Sequence, residues 1–233
     1  MPMRQHVPLG DEFIQFLIAD VALIIAFSLA ESGGLIGILR DSSTSVPSFE
    51  ILIPVMAIVI TASFVLHELM HKIVAQHFGA IAGFRTSSMG LVITLATSMF
   101  GFLFAIPGAT MIYVQSFTKR ENGLVSLAGP LTNFVIFAVF ISVGAYAQPP
   151  QYSFLYYIVT FGTFISLILA FFNMLPIMPL DGSKVLAWNK PVYAATMGAI
   201  FVIAYTFGII PVYNLVFFLI IALVFSMFYR GFI

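Results

Sequence analysis

His67, Glu68 and His71 stand together in the run Leu66-His67-Glu68-Leu69-Met70-His71. Helical positions four apart lie one above the other, so the two histidines can present both imidazoles to one metal ion while Glu68 stands beside them. His-Glu-x-x-His on a helix is a pattern in which two histidines hold zinc next to a carboxylate that handles protons. A catalytic zinc takes three protein ligands and keeps a fourth position for water, so the pair is an incomplete set. The setting adds weight to the pattern. Residues 51–66 contain no charge, and an ionisable group at membrane depth is costly enough to point to function by default.

A third ligand is available in Asn173-Met174-Leu175-Pro176-Ile177-Met178-Pro179-Leu180-Asp181-Gly182. Two prolines three apart end a helix and keep the backbone extended, and Gly182 permits a turn directly after the acid. Alone, Asp181 reads as an ordinary loop carboxylate. Beside His67 and His71 it supplies the missing hard oxygen ligand from a separate membrane segment. A glutamate ligand from a later helix is excluded on supply: no Glu follows Glu121, and Asp181 is the only acid in the last hundred residues.

The elements that must position these groups follow from composition. Of 233 residues, 61% are hydrophobic and 8% charged, with a mean hydropathy of +1.09. A soluble domain is nearer half apolar and a quarter charged, so this is an integral membrane protein. Cysteine is absent, which removes disulfides, thiolate catalysis and iron–sulfur clusters and leaves His, Asp and Glu as metal ligands. A formal net charge of zero indicates neither a nucleic-acid surface nor a polybasic lipid patch. Residues 1–10 lack the pattern of a cleavable signal peptide, so the first span is expected to remain.

Phe13 to Ala30 is the first span, with Asp20 expected to face other helices or water, and Glu31 through Phe49 reads as a loop. Glu50 to about Phe78 is the second span, carries the metal pair in its last third and stops at Gly79. Phe84 to Met89 and Gly108 to Val114 read as short strands. Leu91 to Ile106 is marginal for a crossing and broken by Gly101, so it is expected to be re-entrant. Leu124 to Tyr146, Phe154 to Leu175, Val192 to Ile209 and Val212 to Phe228 complete six spans. With the N-terminus cytoplasmic and 83–115 returning on its own side, Arg4, Arg85, Lys119, Arg120, Lys184, Lys190 and Arg230 all face the cytoplasm and only Arg40 lies outside, the bias expected of cytoplasmic loops. Both termini are then cytoplasmic in a multi-pass protein of the cell membrane. Trp188 with Tyr193 reads as an interfacial anchor, His77 as a structural or interfacial histidine, and His6 has no assigned role. The expected fold is all-α and polytopic, about six transmembrane helices with a small membrane-associated β element and a re-entrant segment. No repeat is evident, so residues 1–233 read as one domain.

The sequence resembles the site-2 protease family of intramembrane zinc metalloproteases. The resemblance rests on His67-Glu68-Leu69-Met70-His71, on Leu180-Asp181-Gly182 preceded by Asn173 and the two prolines, and on Ala128-Gly129-Pro130-Leu131-Thr132-Asn133 opening the intervening span. Order and separation of the motifs agree over a core from about residue 50 to 190. The resemblance implies one Zn2+ per chain on His67, His71 and Asp181, with Glu68 as general base and Asn173 steadying substrate or oxyanion. Phe104 to Met111 resembles the family's membrane-associated β element, which pairs with extended substrates. The apolar stretch at about 90–105 departs from simpler members, and no PDZ-like or CBS-like module is present.

The implied activity is zinc-dependent endopeptidase cleavage of transmembrane segments. A metal on two neutral imidazoles and a carboxylate lowers the pKa of bound water and polarises the scissile carbonyl; Glu68 moves the proton, and Asn173 could donate to the oxyanion. A helical substrate must unwind first, and adding its strand near Phe84–Met89 or Gly108–Val114 repairs the lost hydrogen bonds. The partners are then a transmembrane substrate and the lipid bilayer, with no nucleic acid. The alternative is a non-catalytic polytopic protein, transporter-like or chaperone-like, with a structural metal site. Such a protein spreads ionisable groups through several spans, whereas here they concentrate at residues 67–72 and 181.

Overall fold

The computed structural model describes residues 10–40, 47–114 and 116–229. Arg4, His6, Arg230 and residues 41–46 lie outside them, so the readings placed on those residues are not addressed by the fold. Among the described residues five helices are long and apolar enough to cross a membrane: Asp11–Glu31, Phe49–His77, Lys119–Ala147, Phe154–Asn173 and Lys190–Phe207. Helix α1 is Gly10–Glu31. The second span is one continuous helix made of α3 (Phe49–Ile60), a π-helical turn at Thr61–Val65 and α4 (Leu66–His77). It stops where Gly79 takes φ +80°, a left-handed position that glycine occupies without strain.

Two differences precede the metal helix. Residues 31–49 read as a loop, yet Gly34–Arg40 forms a short helix, α2. The π turn ends two residues before His67, and such turns re-aim the side chains that follow them. Asp20 does face another helix: Thr61 donates to its Oδ2 at 2.6 Å from the start of that turn.

After Gly79 the chain forms strand β1 (Ile81–Thr86), helix α5 (Ser88–Ser98) and strand β2 (Gly108–Tyr113). The strand expected at Phe84–Met89 therefore lies three residues earlier. Ser87 explains the shift, because its side chain accepts from Gly90 N and caps α5, which takes Ser88 and Met89 into the helix. The other strand lies as expected and ends one residue short of Val114. The two strands pair antiparallel from Ile81↔Tyr113 to Thr86↔Gly108.

That pairing settles the course of residues 87–107. Ser87 N donates to Pro107 O at 3.1 Å, so the segment starts and ends at one place and does not cross. Its helix has 11 residues, about 16 Å at 1.5 Å per residue, against a bilayer core of about 30 Å. The segment runs beside α1 until Leu35 N meets Met99 O at 2.9 Å, then returns extended. In lipid an unpaired amide is costly, and the returning segment meets this need locally: Phe104 N donates to Thr97 Oγ1 and Ile106 N to Thr94 Oγ1.

Helix α6 (Lys119–Ala147) opens on a capping box between Thr118 and Glu121. It packs on α7 (Phe154–Asn173), where Gly162 lies against Phe140 and Gly144 against Val159; small residues let membrane helices approach closely. Helix α8 (Asp181–Trp188) was not expected. It is followed by α9 (Lys190–Phe207) and α10 (Val212–Tyr229), the latter at the sixth expected span. The fold is all-α and polytopic around one small hairpin. Trp188 and Tyr193, expected as an interfacial anchor, are partly buried against the cluster drawn from α6 to α10, with Trp188 against Gly123.

Candidate metal and catalytic site

The site assembles where α4, α6 and the start of α8 meet. His67 and His71 are 3% and 7% exposed and Asp181 8%, so the chain buries three polar groups that need partners. One atom from each lies within 4.8 Å of the others. The Nε2 atoms of the two histidines are 3.1 Å apart, and Asp181 Oδ2 is 3.7 Å from His67 Nε2 and 3.1 Å from His71 Nε2.

The far nitrogens orient both rings. His71 Nδ1 is 2.7 Å from Val125 O. A carbonyl only accepts, so Nδ1 carries the proton and Nε2 presents its lone pair inward. His67 Nδ1 is 3.1 Å from the amide of Asn133, which is fully buried and whose Oδ1 has no other partner. The two ends of an amide are interchangeable by a half-turn. Turned so that Oδ1 accepts from Nδ1–H, Asn133 leaves His67 Nε2 free in the same way. Partners of this kind fix the tautomer and aim of metal-binding histidines.

Asp181 is delivered at the first position of α8. A carboxyl group is ordinarily ionised at neutral pH, and an opposite charge nearby favours the ionised form. Lys184 Nζ lies 3.8 Å from its other oxygen. Gly182 works through space and not through an unusual φ: a Cβ there would lie 2.1 Å from Met174 O, so the glycine lets the extended turn close back on the end of α7.

The residues fit a metal ion. Two inward imidazole nitrogens and an ionised carboxylate are a zinc-type donor set. Gly129 of α6 keeps the space open, because a Cβ there would lie 2.5 Å from His67 Nε2 and His71 Nε2.

Glu68 is half-buried on the neighbouring face of α4. Its Oε2 accepts from Thr110 N at 2.9 Å and from Thr110 Oγ1 at 2.8 Å. Asn173 is not brought into the group: its Nδ2 donates to Leu169 O at 3.0 Å and braces the end of α7. His77 is exposed at the end of α4, away from the donors. Lys72, a charge inside the second span, is paired with Glu12 of α1 at 2.5 Å.

Asn133, Gly129, Val125 and Thr110 received no site role from the sequence. Asn133 and Gly129 lie in a motif that had been noticed, and an Asn on a span beside a small-residue position was the available signal. Thr110 and the Val125 carbonyl had none.

Fold and site define a multi-pass helical membrane protein with a convergent His-His-Asp donor set and a glutamate beside it. The family model described as peptidase family M50 matches residues 145–197, which include Asp181. A Methanocaldococcus jannaschii protein named "Putative zinc metalloprotease MJ0611" is 44% identical over 152 residues, 64% of this chain and 78% of the relative. A Bacillus subtilis protein named "Putative zinc metalloprotease YwhC" is 27% identical over 152 residues, 58% of this chain and 68% of the relative. No solved structure matches the chain. The chain belongs to the site-2 protease family of zinc metalloproteases, peptidase family M50.

Proposed function

We propose that this protein is an intramembrane endopeptidase that binds one zinc ion through His67, His71 and Asp181 and uses Glu68 as general base on transmembrane segments of other proteins. The observation that carries the reading is the meeting of two inward imidazoles and a buried carboxylate within 4.8 Å, on a helix that also bears Glu68. Bound there, zinc supplies the positive charge that polarises a scissile carbonyl and makes water acidic enough to yield a nucleophile.

The remaining work falls to the chain. Glu68 takes the proton from the attacking water and returns it to the leaving amine. Val125 O and Asn133 keep both imidazoles aimed inward while charge develops. The free edge of β2 supports docking of an extended substrate, since the amides of Gly108 and Ile112 have no partner among the described residues, and the hairpin lies beside Glu68. Asn173 gives one Nδ2–H to Leu169 O and would offer its second to an oxyanion. Lys119 and Arg120 open α6 and Lys190 opens α9, and with Arg85 and Lys184 on the same side they would follow the bias that supports cytoplasmic termini in the cell membrane.

The test is cleavage of a single-span substrate co-reconstituted in vesicles. Wild type is expected to cut within the span and Glu68→Gln to leave it intact. Wild-type vesicles that never cut, with zinc supplied and the fold intact, would overturn the reading in favour of a structural metal site.

A further inference from the structure

The free edge of β2 and the candidate base meet at Thr110. In an antiparallel ladder, directly opposite residues alternate between pairs that exchange both hydrogen bonds and pairs that exchange none. Phe84↔Thr110 is of the second kind, because Phe84 N donates to Glu12 Oε1 and Thr110 N to Glu68 Oε2. The outward row on β2 is therefore Gly108, Thr110 and Ile112. Among these, Thr110 alone has its N–H taken, and the group that takes it is Glu68. The Thr110 hydroxyl reaches the same carboxylate oxygen at 2.8 Å and the Glu68 carbonyl at 3.0 Å. Every hydrogen bond of the carboxylate thus falls on Oε2, and Oε1 has no partner among the described residues.

We propose that Thr110 is the positioning residue for Glu68 and that their contact is a latch on the docking edge. An added strand needs the outward N–H groups of β2, and the middle one holds the carboxylate. Strand addition and release of Glu68 from that amide are one exchange: a substrate carbonyl takes the Thr110 N–H, and the hydroxyl keeps hold of Oε2 while the carboxylate turns to water. The exchange trades one hydrogen bond for another and needs no co-reactant. It also sets register, because the base lies beside the substrate residue whose carbonyl pairs with Thr110. The inference rests on the protease reading above and adds the coupling between docking and the base.

The experiment measures binding of an extended peptide with a reduced, uncleavable scissile bond to zinc-loaded wild type, Glu68→Ala and Thr110→Pro in detergent, with zinc content and thermal midpoint alongside. Removing the carboxylate frees the amide, so Glu68→Ala is expected to bind about fivefold tighter than wild type, in keeping with one hydrogen bond no longer displaced. Thr110→Pro is expected to bind more weakly than wild type, since proline at an outward edge position removes that N–H without touching the ladder. Should Thr110→Pro fail to fold, the hydroxyl is read separately: Thr110→Val lowers kcat about tenfold, in keeping with one lost hydrogen bond to the base, with KM within about twofold, and Thr110→Ser restores it. A merely structural Thr110 would not give that split with zinc content unchanged. Equal peptide affinity in wild type and Glu68→Ala, or wild-type kcat in Thr110→Val, overturns the latch. Wild type that cuts a single-span substrate under those results keeps the protease reading, whereas wild type that neither cuts nor binds overturns both.

Discussion

The two edges of the β1–β2 hairpin are treated in opposite ways. On β1, Phe84 N donates to Glu12 and Thr86 N to Gln15, Phe84 is fully buried, and Phe16 stacks on it at 4.3 Å between ring centroids. On β2, the side chains alternate between half-buried and exposed, and the partnered outward amide goes to Glu68. An edge strand normally has to be covered or blunted, and at membrane depth unpaired amides are costlier still. Helix α1 takes two of the three outward amides of β1, those of Phe84 and Thr86, with side chains. The re-entrant extended segment 102–107 solves the same problem with Thr94 and Thr97. Against those two solutions, the edge of β2 leaves the Gly108 and Ile112 amides without partners among the described residues, beside the helix that carries Glu68, and it is there that we propose an extended guest docks.

Changes at the two edges should separate chemistry from scaffold. The largest effect is expected at the open edge from Glu68→Gln: cleavage falls by about 10²–10⁴-fold, the range of general-base catalysis, while zinc content and thermal midpoint hold. At the β1 edge, Glu12→Ala strands Lys72 and the Phe84 amide together, and is expected to cost about 3 kcal/mol of stability, in keeping with removing one partner of a buried ion pair; denaturant titration reads it, with activity per folded molecule little changed. Ile112→Pro removes an outward amide from β2 and leaves the ladder intact, so KM rises roughly tenfold, the worth of about one hydrogen bond, with a normal midpoint. The smallest effect is Gln15→Ala, which leaves the Thr86 amide unpaired at about 1 kcal/mol and alters neither kcat nor KM. A stable, slow Glu12→Ala or an unfolded Ile112→Pro would show that the two edges had been assigned the wrong way round.

Much of this was legible in the sequence because the informative residues are conspicuous in lipid. His67, Glu68 and His71 stand out by type and spacing directly after an uncharged run, and Asp181 by being the only acid in the last hundred residues. The spans were legible because about 30 Å of hydrocarbon demands a long apolar stretch whatever its neighbours are. What escaped depends on contacts across the fold. Asn133 is one polar residue in an apolar helix until His67 arrives beside it, and Thr110 is an ordinary strand residue until Glu68 faces it. The β1 boundary slipped because Ser87, read as strand, is a helix cap. Helix α8 was missed because Pro176 and Pro179 suggested extended chain, and Asp181 proved to be the first residue of the helix that follows.

The most direct measurement is zinc per chain in purified wild type, His67→Ala, Asp181→Ala and Glu68→Gln after exhaustive dialysis. The expected result is about one zinc in wild type and in Glu68→Gln, with loss in His67→Ala and weakened retention in Asp181→Ala, as three protein ligands and a separate base require. Wild type without zinc, or Asp181→Ala holding it as firmly as wild type, would contradict the assignment of these residues.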